Sequence, residues 1–169
     1  GRQMLGVPPK FMTHIMNAVS ALAAIEGANQ TNELVCIYSE MLGFLAENHS
    51  AMIALDKELE YVSDYLKVQS LCFPDVFTYE LRVSQDLPQP VMVPRFLFFT
   101  FVENAVIHGV LPRHQRGQIT VTIAQGGDDC TISVADNGLG MPAKLLAKYQ
   151  TPLADHEDAD FEECLTIEM

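Results

Sequence analysis

FVENAVIHG (Phe101 to Gly109) and VADNGLGMP (Val134 to Pro142) bracket the stretch whose reading decides this fold. In the first, Glu103, Asn104 and His108 interrupt an apolar run of Phe98, Phe99, Phe101, Val102, Ala105, Val106 and Ile107. That pattern predicts a helix over Arg95 to His108, ended by Gly109. The second reads as a buried strand breaking at once into an Asp-Asn-Gly turn, with a further glycine two residues on. Asn104 lies one turn before His108, so both project from one helix face, with Glu103 offset by about 100°. An amide oxygen is a suitable hard ligand for Mg²⁺, which keeps most of its waters and takes its other ligands from phosphate. Glu103 could orient or deprotonate a nucleophile. Asp136 leaves a strand where Gly138 and Gly140 would let a flat ring approach the backbone. Its carboxylate only accepts hydrogen bonds, which suits the exocyclic amine of adenine. Each signal alone has an ordinary reading, since Asn on an amphipathic helix is usually a surface residue and DNG is a common turn. Their order, between strands of this kind, makes them specific.

The totals bound the rest. At 169 residues the chain is one ordinary domain, or a small domain with a helical appendage. Hydrophobic residues make up 49% and charged residues 19%, enough apolar material for a core. A net charge of -12, with only 10 scattered Lys and Arg, argues against nucleic acid as a partner. An acidic protein can still bind ATP, because Mg²⁺ and backbone donors neutralise the phosphates. Cys36, Cys72, Cys130 and Cys164 stand far apart without zinc spacing and read as free thiols. No apolar run reaches the roughly 18 residues that span a bilayer, and no signal peptide is evident. The expectation is a soluble, cytoplasmic chain, attached to a membrane only through a segment upstream.

From Phe11 the positions Phe11, Ile15, Val19, Leu22 and Ile25 follow helical spacing, and Gly27 with Asn29 ends that helix. A second helix restarts at Thr31 with Leu34, Ile37, Tyr38, Met41, Leu42 and Leu45 as its stripe, ending near Asn48. Two helices on a short connection make an antiparallel hairpin, and their broad stripes point to a dimer completing a four-helix bundle. Asp56 begins a third helix, with Leu59, Val62, Tyr65 and Leu66 on one face and Lys57, Glu58, Glu60 and Asp64 on the other. Pro74-Asp75 breaks it. Phe77 to Val83 alternates as a strand, and the proline-rich Asp86 to Pro94 reads as a loop. Gln118 to Ala124 and Cys130 to Ala135 form a hairpin. A short helix over Pro142 to Tyr149, an acidic tract and a strand-like LTIEM (Leu165 to Met169) follow. The fold class is α+β, with the boundary between helical module and mixed domain in residues 50 to 76.

VENAVIHG resembles the N box, and DNGLGMP the first glycine box, of the GHKL (Bergerat-fold) ATPases. The wording is most similar to LytS-like sensor histidine kinases, and ALDKELEYVSDYLKVQSLCF (Ala54 to Phe73) is similar to their segment between dimerisation helices and catalytic domain. The resemblance implies a hairpin dimerisation module over 1–53 and a Bergerat-type α/β sandwich over 54–169. It implies ATP and Mg²⁺ as cofactors, with Asn104 holding the metal and Glu103 as catalytic base. His108 would sit near the phosphates, Asp136 would contact adenine, and Gly138 and Gly140 would shape the pocket. The implied partners are a second copy, through the hairpin, and a response regulator. The implied setting is the cytoplasmic part of an inner-membrane sensor protein.

The departures are specific. The family's first helix carries a phosphoacceptor histidine in a PHFLFN-like motif; here Pro9, Phe11 and Asn17 line up but Lys10 takes the histidine position. An ammonium with an ordinary pKa near 10.4 is a poor nucleophile at neutral pH, roughly three units below it. His14 is one turn further along and is an alternative acceptor, although it aligns with a family Asn. Gly43 and Cys72 stand where the family often carries Arg. After Pro142 no lid, second glycine-rich box or GT-containing strand can be read. A segment left out between Pro142 and Leu165 and a genuine loss both fit that pattern. A kinase core, a pseudokinase or dimeric scaffold that binds nucleotide without phosphotransfer, and another kind of GHKL ATPase are therefore the functional alternatives.

Overall fold

The computed structural model describes residues 9–47, 50–84, 90–126 and 129–140. The expected helix over Pro142 to Tyr149, the strand LTIEM and Cys164 lie outside the described residues. α1 (Pro9–Ile25) and α2 (Asn29–Glu47) pack on each other as the predicted hairpin. Gly27 closes α1 at φ 73°, with Ala28 N on Ala23 O at 2.8 Å and Gly27 N on Ala24 O at 3.2 Å. These paired bonds satisfy carbonyls that a helix end leaves open, and they need a left-handed residue where glycine stands. Ser20 Oγ donates to Asn32 Oδ1 at 2.6 Å and ties the two helices together.

β1 (Met52–Ala54) leads straight into α3 (Leu55–Cys72). Further along, β3 (Met92–Pro94) pairs antiparallel with β1, Ile53 opposite Val93. The loop expected over Asp86 to Pro94 therefore ends in a strand. Three residues are too few to show alternation, and only Ile53 and Val93 are buried. α3 buries Leu55, Tyr61, Val62, Tyr65 and Leu66. Glu58, expected on the polar face, is instead wholly buried (0%), while Lys57 and Glu60 pair in solvent at 2.7 Å.

β2 (Phe77–Val83) runs parallel to β4 (Gly117–Gly126), which pairs antiparallel with β5 (Asp129–Asp136), giving the order β2-β4-β5. Period-2 alternation puts Ile119, Val121 and Ile123 of β4 beside Ile132 and Val134 of β5 on the core face. Helices cover that face. The expected single helix over Arg95 to His108 is resolved into three parts: a turn at 95–98, α4 (Phe99–Asn104), and a π-helical segment (Ala105–Val110) packed on β4 and β5. Val102, Val106 and Val110 are fully buried there. Helices against one face of a mixed sheet make the chain α+β, as expected. The described thiols, Cys36, Cys72 and Cys130, are free.

Candidate nucleotide site

The helical polar residues keep the segregation read from their spacing. Glu103 is half-buried, Asn104 and His108 are exposed, and Ala105, Val106, Gly109 and Val110 turn inward. The i→i+5 bond from Leu111 N to Val106 O, 3.0 Å, marks the wider turn, a form that recurs at functional sites. A helix leaves its last carbonyls without partners in the chain that follows. Here Leu139 N, from the glycine-box loop, donates to the Gly109 carbonyl at 3.1 Å. The two sequence motifs are thereby brought into backbone contact.

That contact dictates residue type. A Cβ on Gly138 would overlap the Cα, carbonyl carbon and oxygen of Gly109, backbone that cannot swing aside. A Cβ on Gly109 would lie 2.6 Å from Asp136 Oδ1. Gly138 thus has a steric requirement of its own, apart from the ring approach read from the sequence. Gly140 is left-handed, φ 71°, with nothing among the described residues within 4 Å of its Cβ position.

Asp136, half-buried at the end of β5, accepts the Gly138 amide on Oδ1 at 2.7 Å. Its Oδ2 takes no hydrogen bond from the described residues, so one acceptor remains for a ligand amine. Asn137 fixes the turn: Oδ1 accepts Gln118 N at 2.7 Å, and its own amide donates to Gln118 O at 3.2 Å. Arg113 adds a clamp, donating to the Asn137 carbonyl and, at 3.2 Å, to Gln115 Oε1. Spacing gave no sign of Arg113, which acts across two loops. Among the described residues no group of three or more His, Cys, Asp and Glu could hold a metal, so a cation here would draw most of its ligands from elsewhere. The donor set, one exposed amide and one carboxylate with an oxygen that no described residue engages, beside a glycine-only contact, fits ATP with Mg²⁺.

Behind the site lies an aromatic knot. Tyr61 meets Phe44 of α2 at 4.9 Å, Phe96 at 5.4 Å and Phe99 at 5.1 Å, and Tyr65 meets Phe99 at 5.0 Å. The Arg95 guanidinium lies 4.7 Å over the Phe96 ring. Burial, helped by the charge of Glu103, pushes the Tyr65 hydroxyl up to about 12. Glu58 sits under the knot, its Oε2 accepting the Phe96 amide at 2.9 Å. Burial raises its carboxyl above the ordinary range, against the pull of the Phe96, Phe99 and Phe98 amides and of Arg95. Sequence reading missed Glu58, yet Leu55, Glu58, Val62 and Leu66 share helical spacing and would have flagged it. Lys10 and the exposed His14 lie on α1, whose main packing partner is α2.

A helical pair leading into a mixed sheet, with a helix end sealed by a glycine-box loop, defines a histidine-kinase-type ATPase region. Two family models match: "Histidine kinase" over residues 6–77, and "Histidine kinase-, DNA gyrase B-, and HSP90-like ATPase" over residues 94–163. Sensor protein LytS of Staphylococcus epidermidis is 31% identical over 140 residues, 83% of this chain and 24% of that protein. Sensor histidine kinase YpdA of Escherichia coli K12 is 27% identical over 147 residues, 85% of this chain and 25% of that protein. A histidine kinase domain from the Erythrobacter litoralis EL346 blue-light activated histidine kinase aligns at TM-score 0.44 and 12% identity, covering 80% of this chain and 74% of that one, a likeness that adds nothing to the assignment. The chain belongs to the LytS-like sensor histidine kinases of the GHKL superfamily. It spans about a quarter of the length of the curated relatives it matches. Among the described residues no helix is long and apolar enough to cross a membrane.

Proposed function

We propose that this chain is the kinase core of a two-component sensor, binding Mg²⁺-ATP for autophosphorylation and phosphotransfer to a response regulator. The observation that carries the reading is the meeting of Gly109 with Gly138 and Leu139, which places the N-box helix end against the Asp136 turn. Asp136 Oδ2 would accept the adenine amine, and the clamped turn would hold that carboxylate still. Asn104 would offer its amide oxygen to Mg²⁺ and His108 would stand toward the phosphates. Glu103, half-buried, would orient or deprotonate the attacking group. When bound, Mg²⁺-ATP supplies the phosphoryl group and spreads its charge. The proposed units are a dimerisation hairpin over 1–53 and an ATP-binding region over 54–169. The hairpin would pair with a second copy through the exposed side chains Phe11, Leu22 and Ile25 of α1.

Lys10, at the expected acceptor position, supports a second reading: a pseudokinase scaffold that binds nucleotide without phosphotransfer. Incubation of the chain with γ-labelled ATP and Mg²⁺ separates the two. Acid-labile, base-stable label supports the kinase reading, and its loss in His14→Ala would place the acceptor. ATP binding by calorimetry without label supports the scaffold. Absence of both label and binding would sink the ATP-site reading itself.

A further inference from the structure

We propose that Glu58 is a positioning residue for the nucleotide site: from α3 it holds the amide of Phe96 and so sets the start and direction of the helix that carries Glu103 and Asn104. The proposal rests on the reading above, in which those two residues meet Mg²⁺-ATP.

Glu58 is the one charged side chain buried among the described residues. It occupies the apolar stripe of α3, between Leu55 and Val62, where a leucine would pack at no electrostatic cost. What it does there is visible. α4 has no side-chain cap from its own N-cap residue, Phe98; Phe101 N finds Phe98 O at 3.1 Å, which leaves the amides ahead of it, in the turn that leads into the helix, to acceptors from elsewhere. Glu58 Oε2 reaches the amide of Phe96 at 2.9 Å, and the amides of Phe99 and Phe98 face the carboxylate without closing a hydrogen bond. Phe96 takes up a left-handed backbone, φ 61°, rare for a bulky residue and sustained only where the surroundings over-determine it. The bond from its amide and the rings of Phe44, Tyr61 and Phe99 around it supply that constraint. Glu103 and Asn104 end the six-residue helix that follows. A change in the direction of its first turn reaches them undamped. Tyr61, one turn after Glu58, stacks on Phe44 at 4.9 Å, so the same helix that anchors the site is seated on the hairpin.

The test uses Glu58→Leu and Glu58→Gln in the whole chain, with two readouts. One is amide hydrogen exchange at 96–104; the other is calorimetry with Mg²⁺ and a non-hydrolysable ATP analogue. Glu58→Gln keeps an acceptor oxygen, and both readouts should stay near wild type. Glu58→Leu fills the volume but accepts nothing: Phe96 and the first turn of α4 should lose protection while β4 and β5 keep theirs, and analogue affinity should fall about tenfold. If Glu58→Leu does not fold, Glu58→Ala, which admits water, is read in the same way. Wild-type exchange or wild-type affinity in the folded variant would overturn the proposal, since a volume-filling role predicts both. If the wild-type chain binds no analogue, the nucleotide reading fails, and exchange alone then decides whether Glu58 sets the helix.

Discussion

The hairpin and the sheet dispose of their apolar residues in opposite ways. In β4, Ile119, Val121 and Ile123 are buried to 1% exposure or less against the helix that carries the candidate site. In α1, Phe11 stays 55% exposed and Ile25 82%, and among its described side chains Ala23 alone is buried. One region is completed within a single chain. The other leaves apolar side chains uncovered among the described residues, and a second copy is the proposed cover. The difference extends to what each tolerates. The sheet side is held by backbone-to-backbone approach, where one methyl group is too many. The hairpin presents an exposed side-chain surface, where substitution is expected to leave the single chain folded and to change the proposed association instead.

The sharpest way to break that contrast is Gly138→Ala. Its Cβ would meet backbone of Gly109, so the loop must move and the Asp136 turn with it. We expect about 3 kcal/mol of lost stability in urea denaturation, with ATP binding abolished in calorimetry and the hairpin association intact. A stable variant with normal binding would show that the glycine-box contact constrains nothing. The hairpin counterpart is Leu22→Asp with Ile25→Asp. These side chains are solvated in the single chain, so thermal unfolding of the sheet region should hardly move. Association measured by sedimentation should weaken by about 2 kcal/mol, more than tenfold in dissociation constant. Unchanged association would remove this face from the interface.

Asp136→Asn probes the site at lower amplitude. Asparagine can still accept the Gly138 amide with its oxygen, so the turn should survive. Its amine would then stand where Oδ2 stands and oppose the donor on adenine. About a tenfold loss of ATP affinity follows, with little change in stability; equal affinity would move adenine elsewhere.

Much of this was legible in the sequence because the signals are local. Helical spacing marked α1, α2 and α3, Gly27 marked the first helix end, and alternation marked β2, β4 and β5. The N-box and glycine-box residues were legible as motifs. What stayed hidden depends on partners distant in the chain. β1 and β3 are strands only because Ile53 and Val93 face each other. The parallel pairing of β2 with β4 leaves no trace in either strand. Asp136 could be named from its turn, but the requirement for glycine at 138 comes from Gly109 across the loop. The change from α- to π-helical bonding at Ala105 likewise accompanies that contact and breaks no sequence rule. Glu58 looked like one more charge beside Lys57 and Glu60 because the amide it serves lies 38 residues on.

The smallest effect concerns that same carboxyl. Burial raises it above its ordinary value of 4.5, and the Phe96, Phe99 and Phe98 amides and Arg95 offset this only in part. The folded chain therefore holds the Glu58 proton to higher pH than the unfolded chain does. Folding takes up a proton between the two values, so the stability from this group is fully present below the unfolded value and is lost as pH rises through the folded one. Glutamine cannot ionise, so Glu58→Gln lacks that loss. The stability of wild type relative to Glu58→Gln should decline as pH rises above the ordinary carboxyl value of 4.5, read from urea denaturation at each pH. A difference that stays flat, or that grows with pH, would mean the Phe96 amide and Arg95 outweigh burial and that the carboxylate rests there without cost. Leu22→Asp with Ile25→Asp provides the background for this comparison. The shifted group lies beneath the aromatic knot and away from the exposed face of α1, so the decline should persist when the hairpin no longer associates.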